Sequence, residues 1–295
     1  MPELPDVTVY IEALEQRVID QPLEQLRLAS PFVLRTVQPR PSTIAGKRVA
    51  GLRRLGKRIV FELEDDVFVV VHLMVAGRFK WKKPGAKIPG RVGLAGFDFP
   101  SGTLLLTEAS TKKRASIHIV EGEAGLADHD RGGLEVMEST LAAFKKRLVL
   151  RNHTLKRALT DARLFSGIGN AYSDEILFAA QLSPLKLTQR LDNDEIKRLY
   201  KAIRTTMKQW IKILRKDAED GFPEKVTAFR PEMKVHGKYK EPCSVCGTKV
   251  MRIAYAENEV NYCPTCQNEG RLLADRSLSR LLKNDWPKTV DELEG

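Results

Sequence analysis

The sequence predicts an α+β protein: a β-sandwich or flattened barrel with one flanking helix, then a run of helices, then a metal-binding hairpin. Three observations predict it. Apolar residues follow strand patterns up to about residue 120, and past Gly132-Gly133 they change to helical spacing. All four cysteines fall in one stretch, CSVCGTKVMRIAYAENEVNYCPTC. At 295 residues the chain is long enough to bury a sizeable core and to divide into domains.

The elements follow in order. The opening MPELPD sets two prolines and an acid directly after the initiator methionine. Residue 2 is small, so Met1 is removable, which would leave Pro2 as a free secondary amine. A terminal amine has a reference pKa of about 8, against about 10.4 for lysine, so it can serve as a neutral nucleophile near pH 7. The plainer reading is that Pro5-Asp6 begins a helix. Val7, Tyr10, Ile11, Leu14 and Val18 then fall at helical spacing. RIVFEL and VFVVVHLMV flank Glu64-Asp65-Asp66, and FDF and TLLLTEA flank Pro100-Ser101-Gly102; both read as hairpins.

Beyond residue 133, helices are expected over 141–150, 155–159 and 174–180. A longer helix is opened by Asp192 and Glu195 as a cap pair, with Ile196, Leu199, Ile203, Met207, Trp210 and Leu214 as its core stripe. The polar stretch 217–234, broken by Gly221, Pro223 and Pro231, reads as a linker or mobile lid. Leu278, Leu281 and Leu282 predict one short packed helix in the tail.

Cys243, Cys246, Cys263 and Cys266 form C-x2-C, sixteen residues, C-x2-C. That spacing suits one structural Zn2+ held by four thiolates, with no open position for catalysis. A redox dithiol would need a thioredoxin-like strand-helix unit around one CxxC, and none is visible. Lys and Arg number 49 against 38 Asp and Glu, a formal charge of +11, which suits a polyanionic partner. No apolar run approaches the ~18–20 residues that span a bilayer, and the first twenty residues lack signal-peptide order. The expectation is a cytoplasmic protein, nucleoid-associated if bacterial, acting as a monomer without a membrane partner.

GIGNAYSDEIL, residues 167–177, is a glycine turn feeding a helix N-terminus, an arrangement that binds anions or simply caps a corner. With the net charge and the cysteine hairpin, DNA phosphate is the favoured anion.

These motifs together resemble the Fpg/Nei family of bifunctional DNA glycosylases, the formamidopyrimidine-DNA glycosylase and endonuclease VIII-like enzymes. The resemblance runs from Met1 to about Gln267, through PELPD, LGKRIVFEL, HLMVAGR, GIGNAYSDEILFAAQLSP, VHGKYKEPC and the cysteine segment. It implies an N-terminal β-sandwich, a helical helix–two-turn–helix domain and a zinc finger. The expected boundaries are 1–130, 131–235 and 236–267, with a C-terminal extension over 268–295. It also implies a base-excision-repair enzyme acting on damaged DNA, a glycosylase with AP lyase activity that cleaves by β- and δ-elimination. Pro2 matches the family's nucleophile and Glu3 its acid/base. Lys57, His72 and Asn170 match residues that clamp the phosphates around the lesion. Arg53, Arg54 and Arg58 are equally well read as solvated.

The chain departs from the family pattern in five places. Asp6, a candidate for catalytic support, replaces a second glutamate, and Thr8 replaces another. Val75 holds the position of a methionine wedge; Met74 would serve only through a bulge, since neighbouring strand residues face opposite sides. ASTKKRASI sets Lys113 and Arg114 where an Arg-Phe pair is usual, and includes no aromatic residue. Asn258 stands where the finger usually supplies an arginine. Two functions follow: a glycosylase/lyase with changed substrate choice, favouring single-stranded or distorted DNA, or a DNA-binding protein of the same fold with weak or no lyase activity.

Overall fold

A computed structural model describes residues 1–219, 221–255, 258–274 and 287–294. Leu278, Leu281 and Leu282, with the helix expected from them, lie outside the described residues. The chain divides into two compact units, one of Met1–Arg131 with Gln209–Thr227, the other of Gly132–Lys208 with Ala228–Gly295. Two features of this division differ from the boundaries expected above. Gln209–Thr227 groups with the strands, and the cysteine hairpin groups with the helices.

The first unit opens with α1, Leu4–Val18, three residues earlier than the apolar spacing predicts. Pro5 belongs to the helix start: it lies in the first turn, where a missing N–H breaks no helical bond. Glu3 is the N-cap residue, and its backbone N–H donates to the Asp6 carboxylate at 2.9 Å. The eight strands that follow are β1 (Gln25–Leu28), β2 (Val49–Leu55), β3 (Arg58–Leu63), β4 (Val67–His72), β5 (Gly77–Lys82), β6 (Gly93–Phe99), β7 (Gly102–Glu108) and β8 (Ser116–Glu121).

They form two four-stranded antiparallel sheets, ordered β1-β6-β7-β5 and β2-β3-β4-β8, the predicted sandwich. Both expected hairpins are present, with Leu63 opposite Val67 and Phe99 opposite Gly102. Phe61 of one sheet stacks on Phe97 of the other at 5.6 Å, and Val7, Tyr10 and Leu14 of α1 bury fully in the same core. A short helix α2, Gly122–Ala127, sets Leu126 against Val60, Phe68 and Val70 on one sheet.

β4 stops at His72, so the strand reading of HLMV is corrected. The N–H of Gly77 donates to the carbonyl of Leu73 at 2.9 Å and closes a turn in which Met74 is left-handed at φ 52°. A Cβ on Gly77 would lie 2.2 Å from that carbonyl oxygen, so only glycine permits the closure. The stretch after residue 217 is likewise no free linker at its start. Phe222 packs on Tyr10 at 5.7 Å, Val226 is buried in the sandwich core, and Lys82 pairs with Glu224 at 2.7 Å.

The second unit contains α3 (Leu141–Leu148), α4 (Leu155–Thr160), α5 (Asn170–Ala179) and most of α6 (Asn193–Ala218). Asp192 and Glu195 cap α6 reciprocally: the Glu195 N–H donates to Asp192 at 2.8 Å, and the Asp192 N–H to Glu195 at 3.0 Å. All six residues of its predicted stripe are buried. The strands β9 (Met251–Ala254) and β10 (Glu259–Tyr262) pair antiparallel, and α7 (Pro264–Asn268) follows.

Candidate active site

The chain terminus is enclosed rather than trailing. Pro2 is buried, and Glu3 and Asp6 are 2% and 5% exposed. Burial lowers the pKa of the Met1 amine, Arg78 and Lys57 push it the same way, and Glu3 and Asp6 oppose them. The surroundings of the chain terminus thus disfavour a charged amine. Asp6 acts on this site through the backbone, by fixing the N–H of Glu3.

Arg78, quoted within a motif but given no role by sequence reasoning, organises the surroundings. Its Nε donates to the carbonyl of Val226 at 2.5 Å, and its Nη1 to those of Val75 at 3.1 Å and Gly77 at 2.7 Å. It thus ties the turn after β4 to the segment that packs on α1.

Lys57 occupies the two-residue turn between β2 and β3, where Leu55 faces Arg58. Gly56 supplies the positive φ of 64° that the first position of such a turn requires. Arg58 lies opposite His72 in the ladder. Burial pushes the His72 imidazole down to about 3, with Arg58, Lys57, His118 and Arg131 adding to the effect. His118 is pushed down to about 4, again mainly by burial, and its ring lies 4.5 Å from that of His129. Neutral imidazoles beside guanidinium and ammonium groups make an anion-accepting patch. Arg53 is otherwise engaged: it pairs with Glu62 at 2.6 Å and Glu123 at 2.5 Å, and covers the Phe68 ring. Arg54 donates to the Gly56 carbonyl at 2.8 Å.

The candidate wedge positions stand on two loops of this unit. Val75 is 56% exposed, and Met74 beside it is half-buried in the turn. Since both are turn residues, strand alternation does not govern which of them projects. In the loop after β7, Arg114 is exposed, while the Lys113 ammonium folds back onto the carbonyl of Glu108. The Glu108 carboxylate, 1% exposed, accepts the N–H groups of Arg114 at 2.8 Å and Ala115 at 3.0 Å. A buried acid therefore shapes this loop from within.

In the second unit, Asn170 is the first residue of α5, behind Gly167 at φ 78° and the N-cap Gly169. Lys156, buried on α4, donates to the Asn170 carbonyl at 2.6 Å and to Asp174 at 2.5 Å. Asp174 also holds His236 Nδ1 at 2.8 Å and Asn261 at 3.3 Å. Its neighbour Glu175 accepts three backbone N–H groups, from Lys234, Val235 and His236, each at 2.9 Å. Burial raises the Glu175 pKa despite these donors. SDEIL thus joins the glycine turn to the segment leading into the finger, a role that no local signal reveals. Asn258 is exposed, and its carbonyl accepts the Tyr255 N–H at 2.7 Å.

The four cysteine sulfurs lie within 4.8 Å of one another. Tetrahedral coordination with bonds of ~2.3 Å sets sulfurs roughly 3.8 Å apart, so the cluster fits one ion. The Gly247 N–H donates to the Cys243 carbonyl at 2.9 Å, and Gln267 ties the second CxxC turn to the Leu182 carbonyl at 3.0 Å.

A sandwich enclosing its own terminus, a helical module with a glycine turn and a four-thiol hairpin define the class of helix–two-turn–helix glycosylase folds. The family model of the formamidopyrimidine-DNA glycosylase N-terminal domain matches residues 1–116, and that of the H2TH domain matches 134–219. The chain belongs to the formamidopyrimidine-DNA glycosylase family. A relative of that name from Desulfitobacterium hafniense is 29% identical over 276 residues, covering 90% of this chain and all of the relative. One from Listeria monocytogenes is 27% identical, with the same coverage. Among solved structures, a Lactococcus lactis Fpg mutant bound to Fapy-dG-containing DNA superposes with a TM-score of 0.81 at 25% identity. It matches 90% of this chain and 100% of its own. The Lactococcus lactis Fpg in complex with abasic-site DNA gives 0.80. Among the described residues, no helix is long and apolar enough to cross a membrane.

Proposed function

We propose that this chain is a base-excision DNA glycosylase with AP lyase activity, using the amine of Pro2 after loss of Met1. The carrying observation is the burial of Pro2 together with Glu3 and Asp6 at the start of α1, where Asp6 fixes the backbone N–H of Glu3. Pro2 nitrogen attacks C1′ of an extruded nucleotide, and the damaged base departs with the glycosidic electron pair. Glu3 delivers a proton to the ring oxygen as the sugar opens. The resulting iminium acidifies the C2′ proton, whose removal expels the 3′ phosphate; a second elimination expels the 5′ phosphate. Lys57, His72 and Asn170 hold phosphates, which position the strand without reading its sequence. One Zn2+ on Cys243, Cys246, Cys263 and Cys266 holds the finger in shape and takes no part in the chemistry.

The reading as a DNA-binding protein without lyase activity is less well supported, because Pro2 and Glu3 are both present and enclosed. Incision of 5′-labelled oligonucleotides carrying oxidised bases tests the proposal. The expected product ends in a 3′ phosphate; an uncut strand across the lesion panel overturns the enzyme reading.

A further inference from the structure

The face of the β2-β3-β4-β8 sheet turned away from the sandwich core gathers more basic side chains at one end than the phosphate clamp uses. Ile59, Phe61, Val69, Val71, Ile117 and Ile119 belong to the core, so Arg58, His72, Ser116 and His118 lie on the other face. Arg58 opposite His72, and His72 opposite Ser116, form the last row of the sheet, and His118 stands one row in, opposite Val70. Leu126 of α2 covers Val60, Phe68 and Val70. The chain beyond α2 then lays His129 against His118, with ring centroids 4.5 Å apart and planes tilted by 59°. The His118 Nδ1 is buried and has no hydrogen-bond partner among the described residues. Buried nitrogens are nearly always satisfied, so an orphan within a cluster of bases points to a ligand-linked role.

The charges around the imidazole pair select the ligand. Arg58 acts on all three imidazoles, Arg35 on His118, and Lys57 and Arg131 on His72. Asp128 opposes them at His129, and Asp130 at Arg58. Glu62 of β3 and Glu123 of α2 are held by Arg53. Positive charge therefore dominates around two half-buried rings. A phosphodiester brings the opposite charge. It reverses the electrostatic cause that keeps the rings neutral, and an imidazolium N–H donates to its oxygen as a charge-assisted bond.

We propose that Arg58, His118 and His129 form a phosphate seat beside that of His72, and that DNA bound there takes up a proton on the imidazole pair. The proposal deepens the glycosylase reading and rests on it for the identity of the polyanion. In the free protein His118 titrates near 4, chiefly because it is buried, and burial holds His129 below its ordinary value. A bound phosphate moves the pair upward, and the two close rings share one added proton because two imidazoliums repel. Affinity for DNA therefore rises as the pH falls from 7 toward 5, by up to about tenfold per pH unit for one proton. Above pH 7 the pair contributes no pH dependence.

Anisotropy of a rhodamine-labelled oligonucleotide, titrated with protein at pH 8, 7, 6 and 5 and constant salt, supplies the test. His118→Asn and His129→Asn should each remove the gain on acidification while changing binding at pH 8 little. His129 lies outside the strands, so its variant keeps the test open if His118→Asn fails to fold; unchanged circular dichroism identifies the folded variants. Calorimetry at pH 6 in buffers of different ionisation heat should show net proton uptake by the parent and less by either variant. Arg58→Gln should lower the slope of log affinity against log salt by about 0.7 to 0.9, the value of one phosphate contact. A pH profile that the folded variants share with the parent, or an unchanged salt slope in Arg58→Gln, overturns the proposal. A parent that binds DNA with the proton-linked profile but forms no borohydride adduct with an abasic site overturns the lyase reading alone; one that binds no DNA overturns both.

Discussion

His72 shows how tertiary surroundings decide the charge of one side chain. Its imidazole titrates near 3 in the folded chain, because it is enclosed and faces Arg58, Lys57, His118 and Arg131; unfolded, it titrates near 6.5. Its contribution to stability is therefore complete above pH 6.5 and is lost as the pH falls toward 3. Between those limits, unfolding free energy should decline by up to ~1.4 kcal/mol per pH unit on its account. Urea unfolding at pH 7, 6 and 5 measures the slope, and His72→Asn should flatten it; an unchanged slope would show that His72 is not the group responsible. At this scale the sequence was partly legible. PELPD places Pro2 and Glu3 together, and the structure adds that Asp6 caps the helix carrying them. Arg78, Glu108 and Lys156 were not legible as site-builders, because their burial and partners come from distant elements.

Elements were most legible where one period runs long. The stripe and cap pair of α6 lie where the spacing predicts, and both sandwich hairpins form around their turn residues. The end of β4 was missed because apolar residues continue past His72 while the backbone turns. Two elements yield predictions. Glu175 anchors residues 234–236 to α5 through three N–H groups. Glu175→Ala would strand those donors, at ~1–3 kcal/mol for each buried group left unsatisfied. Thermal unfolding of the second unit should then fall by several degrees, and an unshifted midpoint would contradict the anchoring role. The proposed Zn2+ gives the second: chelation or Cys263→Ser should unfold the hairpin and reduce DNA binding, while the sandwich, with its own core, remains folded. Metal analysis should find one zinc per chain, and active protein free of zinc would contradict the assignment.

For the whole molecule, the +11 charge and the order of modules point to DNA, while the proposed wedge positions bear on which DNA. Val75 offers a short apolar tip, and the loop containing Lys113 and Arg114 has no aromatic residue to insert. Extruding a base costs a few kcal/mol in a paired duplex and least where the base is already unpaired. Cleavage of one lesion should therefore be faster in a single strand or bubble than in duplex, with little dependence on the opposite base. Strong preference for duplex with opposite cytosine would show that another side chain fills the gap. All of this rests on the terminal amine. The direct measurement is borohydride trapping on abasic-site DNA, followed by mass spectrometry of the cross-linked peptide. A covalent adduct on Pro2, abolished by an uncleaved N-terminal tag and weakened by Pro2→Gly, is the predicted result. An adduct formed at full rate by the tagged protein, and mapped to Lys57, would contradict it.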